Sequence, residues 1–146
     1  MMVVMCATFF LTTFMVLAAE DPKTPATLKG CKIISADEAK KLLDQKAGVF
    51  IDTRSALNFG KGHIAGALLI EYKGKSENKA DFDDSKDQFD FSKLTNKDAK
   101  LVFYGHGTTG WKAYKGAYKA VKAGYKNVMW FRNGFEEWDK KGYPKE

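Results

Sequence analysis

The chain has 146 residues, 45% of them hydrophobic and 14% aromatic, and its 24 Lys and Arg against 18 Asp and Glu give a formal net charge of +6. That suits one domain with a packed interior and excludes both a disordered chain and a pair of well-built domains. Two cysteines and three prolines exclude a disulfide scaffold and a proline-rich linker protein, and so mild a basic excess is by itself only a weak pointer to nucleic acid or anionic lipid, with no nucleic-acid partner expected.

Residues 1–19 carry no Asp, Glu, Lys or Arg, are mostly apolar from Val3 to Leu17, and end on Ala18-Ala19 before turning polar at Glu20-Asp21-Pro22. The pattern predicts a secretory signal cut near Ala18 or Ala19, and hence a periplasmic or secreted protein. The segment lacks an early Lys or Arg, so a second reading, an uncleaved N-terminal membrane anchor, stays open. Cleavage removes Cys6 and leaves Cys31, which is then either buried or a free thiol. Residues 20–30, with Pro22 and Pro25, read as a lead-in linker. The folded domain is expected over 31–146.

Lys32-Ile33-Ile34 predicts a short strand. Ser35 and Glu38 form a capping-box pair at the head of a helix with Ala39, Leu42 and Leu43 on its apolar face, closed at Gly48. Val49–Asp52, Ala67–Ile70, Leu101–Tyr104 and Val128–Phe131 are apolar runs without alternation, the signature of strands covered on both faces. Five strands with helical segments between them predict an α/β fold: a five-stranded, mainly parallel sheet flanked by helices.

Tyr72–Lys100 interrupts the rhythm with seven acids, seven lysines and three phenylalanines, Phe82, Phe89 and Phe91. It reads as a solvated crossover containing a short helix and pinned to the core by its phenylalanines. An EF-hand calcium loop is excluded by spacing. Trp111–Ala123 is the clearest helical pattern. Ala113, Tyr114, Ala117, Tyr118 and Val121 share one side of it. Lys112, Lys115, Lys119 and Lys122 share the other, read as a solvated face that could steer an acidic partner.

Asp52-Thr53-Arg54 at a strand end, then Gly62-His63-Ile64-Ala65-Gly66-Ala67, resembles the two leading signatures of rhodanese-like domains. Trp130-Phe131-Arg132-Asn133-Gly134-Phe135-Glu136-Glu137-Trp138 resembles their closing strand–turn–helix. The resemblance runs from about Cys31 to Pro144. It implies a site in the loop between the fourth strand and the next helix, Gly105-His106-Gly107-Thr108-Thr109-Gly110-Trp111-Lys112. It also implies that Asp52, Arg54, His63, Gly134 and Trp138 are structural signature positions.

In rhodaneses that loop opens with a cysteine that carries sulfane sulfur, and its amides point inward to stabilise a thiolate, persulfide or oxyanion. The resemblance puts Gly105 at the cysteine position. Some single-domain bacterial relatives have a Cys-Asn-Gly-x-x-Cys-Trp-Lys-Ser loop. Against it Gly107, Trp111 and Lys112 match, while Gly105, Gly110 and Ala113 replace two cysteines and a serine.

Other chemistry has few candidates. Thr108 or Thr109 would need His106 as base, and no acid nearby in the sequence orients that imidazole. Two histidines 43 positions apart make no metal site, and no cofactor is implied. The expectation is a binding module for a small oxyanion or an acidic protein partner, with a sulfurtransferase-pathway enzyme as the alternative. A membrane enters only if the N-terminal segment is retained.

Overall fold

The computed structural model describes residues 17–146, so the predicted signal segment falls almost wholly outside the described residues. Among those described, no helix is long and apolar enough to cross a membrane. Five strands form the sheet: β1 Lys32–Ile33, β2 Val49–Asp52, β3 Leu68–Leu69, β4 Lys100–Tyr104 and β5 Asn127–Phe131. Their order is β1-β5-β4-β2-β3, and every neighbouring pair is parallel.

Among the described residues four α-helices flank the sheet: α1 Ala36–Asp44, α2 Ala56–Lys61, α3 Trp111–Lys122 and α4 Gly134–Lys140. The capping box at Ser35 and Glu38 is formed at the head of α1. Strand side chains alternate between faces. Ile51, Leu101, Phe103 and Trp130 therefore point to one core with Trp111, Tyr114, Ala117 and Ala120 of α3. Phe50, Val102, Tyr104 and Phe131 point to the other, with Ala39 of α1 and Trp138 of α4. Both faces are buried, which is why these strands lack polar alternation.

The crossover holds two short 3-10 turns, Asp84–Lys86 and Phe91–Lys93, in place of an α-helix. Its phenylalanines do pack on the α3-side core. The lysine side of α3 is a solvated face only in part: Lys112 and Lys122 are exposed, while the crossover covers the rest. Lys115 is only 3% exposed. Lys119 Nζ donates to Asp87 O at 2.8 Å, and Lys122 pairs with Asp84 at 3.0 Å. Helical periodicity separates polar from apolar sides, but it does not say what other part of the chain lies over the polar one. Here the crossover returns across it.

Asp87 fastens that crossover. Its carboxylate accepts Tyr72 Oη at 2.7 Å, the amides of Lys75 and Ser76 at 2.7 and 2.8 Å, and the Ser76 hydroxyl. Burial pushes this carboxyl up, but the bonds from Ser76, Tyr72 and Lys75 together outweigh burial and hold it at about 2, below its ordinary 3.8. A depressed folded-state pKa adds stability above pH 3.8 that fades as pH falls toward 2. Asp87→Asn is therefore expected to lower stability at pH 7 and to flatten its loss between pH 4 and pH 2. Urea unfolding at stepped pH checks this; an unchanged acid limb would remove Asp87 from the account.

Residues 22–25 depart from a free linker. Trp111 Nε1 donates to Pro22 O at 2.7 Å. Thr24 is buried, and the Arg132 guanidinium donates to Thr24 O at 2.7 Å and to Pro25 O at 3.0 Å. Composition marked this stretch as polar and proline-bearing, which describes a strap held by backbone carbonyls as well as it describes a linker.

Candidate functional site

Ligand sites in parallel sheets form where chains leave the carboxyl ends of the strands. Here β4 ends at Tyr104, the loop Gly105–Gly110 follows, and α3 begins at Trp111. Beside it lie the end of β2 and the start of the crossover. Together they enclose a cleft of about 570 Å³ lined by both walls, including Asn58, Ser76, Asn78, His106, Thr109 and Lys115.

The loop is fixed through its carbonyls. Gly105 O and His106 O accept the amides of Phe135 and Glu136 at the head of α4, both at 2.9 Å. Thr108 O accepts the Thr24 amide at 2.8 Å and its hydroxyl at 2.7 Å. In a trans peptide the N–H points opposite to the C=O. These three anchored peptides thus turn the amides of His106, Gly107 and Thr109 to the inner side of the loop.

Not every loop amide faces inward, as the resemblance implied. Gly110 N–H donates to Gly107 O at 2.8 Å and Trp111 N–H to Thr109 O at 3.0 Å. The cause is local. A Cβ on Gly110 would lie 2.9 Å from Gly107 O, so only glycine lets the loop close on itself this tightly. Gly105 is different: a Cβ there would meet Ala113 Cβ at 3.4 Å, and Gly110 Cα and Thr53 Oγ1 at 3.7 Å. The three small residues Gly105, Gly110 and Ala113 therefore meet at one point at the base of the loop.

Of the signature residues only Arg54 lines the cleft, and its charge is not free. Asp52 and Arg54 are buried and paired, Nη2 to Oδ2 at 2.7 Å and Nε to Oδ1 at 3.0 Å. Arg54 also donates to Gly62 O at 2.7 Å and lies 4.4 Å from the Phe135 ring centre. His63 sits away from the cleft, stacked on Phe59 at 3.6 Å with Nδ1 2.9 Å from Phe59 O. Trp138 is fully buried and bonds Pro144 O at 2.8 Å. Gly134 has φ +64° and lies against the loop backbone.

His106 has its ring Nε2 3.4 Å from Asn58 Nδ2, and Asn58 is held in turn by the Ser55 hydroxyl at 3.0 Å. Burial first, and then the Arg54 charge, push its pKa below the usual value against the pull of Glu136 and Asp52. A neutral imidazole accepting from Asn58 fits both facts. No Thr108 or Thr109 hydroxyl bonds it among the described residues. Lys112, the cation expected in the first turn, pairs with Glu71 at 3.6 Å. Cys31 lies at the opposite, N-terminal ends of the strands, and burial pushes its thiol up to about 12.

Sequence reasoning missed Lys115, Asn58 and the strap. Lys115 was hidden in a polar stripe, and Asn58 and Thr24 carry no motif. The one available signal was Trp111, whose indole N–H needs an acceptor when buried.

A parallel five-stranded sheet flanked by helices is the class of fold to which the comparisons lead. The rhodanese-like domain model matches residues 35–141, and the chain belongs to that family. It is 28% identical over 114 residues to the uncharacterized protein YibN of Escherichia coli K12, covering 77% of this chain and 71% of that protein. The crystal structure of the Alr3790 protein from Anabaena superposes with a TM-score of 0.58 at 23% identity, over 77% of this chain and 90% of that one. A thiosulfate sulfurtransferase from Pseudomonas aeruginosa superposes with a TM-score of 0.57 at 18% identity, over 80% of this chain but 20% of that one.

Proposed function

We propose that this is an exported rhodanese-like domain without sulfurtransferase activity, whose loop binds a small oxyanion. In this reading Gly105 stands where the family resemblance puts the sulfur-carrying cysteine. A glycine offers no thiolate, and the one cysteine among the described residues lies at the far end of the sheet with a thiol raised to about 12. Export fits the uncharged, apolar first 19 residues.

The observation that carries the binding role is the outward anchoring of the Gly105, His106 and Thr108 carbonyls. It presents three amides on the inner side at the head of α3, where the helix dipole favours negative charge. Two amides spent within the loop and a Lys112 already paired with Glu71 reduce the site below a full cradle. Affinity near millimolar follows, about 4 kcal/mol.

One titration tests both halves. Thiosulfate added to the 15N-labelled protein is expected to shift the amides of His106, Gly107 and Thr109 first, and cyanide added next is expected to yield no thiocyanate above a buffer control. Turnover would favour the sulfurtransferase alternative. Shifts confined to exposed lysines would leave the loop without a ligand.

A further inference from the structure

The cleft carries a second feature that the loop does not explain. Lys115, on the second turn of α3, is 97% buried by its 3% exposure, yet it lines the cleft. Its ammonium has three donors. Two are used, on Ser76 O and Asn78 Oδ1, both at 3.1 Å, and Nζ also lies 5.3 Å from the Phe82 ring centre. Both acceptors are uncharged. Among the described residues no carboxylate lies within ion-pair distance of it. Asp87, the carboxylate whose charge acts on Lys115, already accepts four donors of its own. A cation drawn out of water without an anion is costly, and burial accordingly pushes this lysine's pKa down against the pull of Asp87.

The other charges around the cleft are already matched. Arg54 is bound to Asp52, Lys112 to Glu71, and Glu77 to Lys79 at 2.9 Å. Among the described residues, Lys115 therefore supplies the one charge of the lining without an ion-pair partner. The remaining groups are neutral hydrogen-bonding or aromatic: Asn58, Asn78, Thr109, Tyr72 and Trp111. The volume, about 570 Å³, falls in the range that encloses small organic molecules and far exceeds one inorganic oxyanion.

We propose that the cleft binds a small organic monocarboxylate, its carboxylate on Lys115 Nζ between Ser76 and Asn78 and its uncharged body along Asn58, Thr109 and Trp111. One spare donor and one unmatched charge fit one carboxylate. With Arg54, Lys112 and Glu77 already paired, the lining holds no further free cation among the described residues for the extra charges of a polyanion such as a nucleotide. The inference rests on the reading of this cleft as a binding site rather than a reaction site, and it adds the ligand class and the residue that selects it.

The test compares N-acetylglycine with its uncharged amide, N-acetylglycinamide, on the 15N-labelled protein. N-acetylglycine is expected to shift the Ser76 amide and the Asn78 side-chain amide, with at least tenfold weaker binding of the neutral analogue. Lys115→Met, which keeps the buried volume, is expected to lose that response while the thiosulfate shifts at His106, Gly107 and Thr109 persist. Lys115→Arg keeps the charge and is expected to retain binding, so a poorly folded methionine variant leaves the proposal decidable. Equal affinity for acid and amide overturns it. So does an unchanged response in Lys115→Met, or binding of an acidic peptide without binding of the small acid. Thiocyanate turnover would count against the binding-site reading, whereas the acid–amide comparison reads the ligand class alone.

Discussion

Gly134→Ala is expected to destabilise the protein by at least about 3 kcal/mol. Two independent penalties add. At φ +64° an L side chain is strained. The new Cβ would also lie 2.6 Å from Gly105 O, 2.7 Å from His106 C and 2.8 Å from Gly107 N, all of them backbone atoms that cannot swing aside. Relief would require pulling α4 away from the loop, with loss of the bonds from Phe135 and Glu136 to Gly105 and His106. Gly66→Ala is the internal control. It has φ +75° but open space around its Cβ position, so it isolates the strain, about 1 kcal/mol. Urea denaturation of the two variants separates the penalties. Equal losses would show that the contact with the loop contributes nothing.

Asp52→Ala is expected to cost about 3–5 kcal/mol, because it leaves the Arg54 guanidinium buried without its counter-ion. Asp52 is fully buried and Arg54 only 4% exposed, so water cannot take over. The melting temperature should fall by about 10 °C or more. Asp52→Ala combined with Arg54→Met should recover part of the loss, since no uncompensated charge remains. The recovery would be incomplete, because Arg54 also bonds Gly62 O and packs on Phe135. Thermal melts of the single and double variants give the coupling. A single variant as stable as the parent would mean that the pair is replaceable by solvent.

Most of the architecture was legible because its causes are local. Val49–Ile51, Leu101–Tyr104 and Val128–Phe131 are apolar on both faces, the pattern of strands in a sheet covered on both sides. Ser35 and Glu38 announced the start of α1. The loop position was legible by resemblance, through the order of Asp52-Thr53-Arg54 and the Trp130–Trp138 run. What stayed hidden depends on contacts between distant parts of the chain. Lys115 reads as solvent-facing until Ser76 and Asn78 are laid over it. Lys112 reads as available until Glu71 meets it. The inward turn of the loop amides could be expected in general, but Gly110 closing on Gly107 depends on a spacing that only coordinates supply.

The strap at Pro22–Pro25 has a consequence for the order in which the molecule assembles. Thr24 and Thr108 stand 84 positions apart. Bringing such ends together costs about 4 kcal/mol in chain entropy beyond a constant term. A few hydrogen bonds return little more than that, so the strap gains its hold only after the sheet has already drawn its two ends close. It is then the last piece to settle and the first to let go. The rim of the loop inherits that weakness at Thr108, while its base, bound to α4 through Gly105 and His106, belongs to the durable part of the fold. One short loop thus spans two levels of mechanical security, with the inner amides of His106 and Gly107 on the firm side and that of Thr109 on the yielding one.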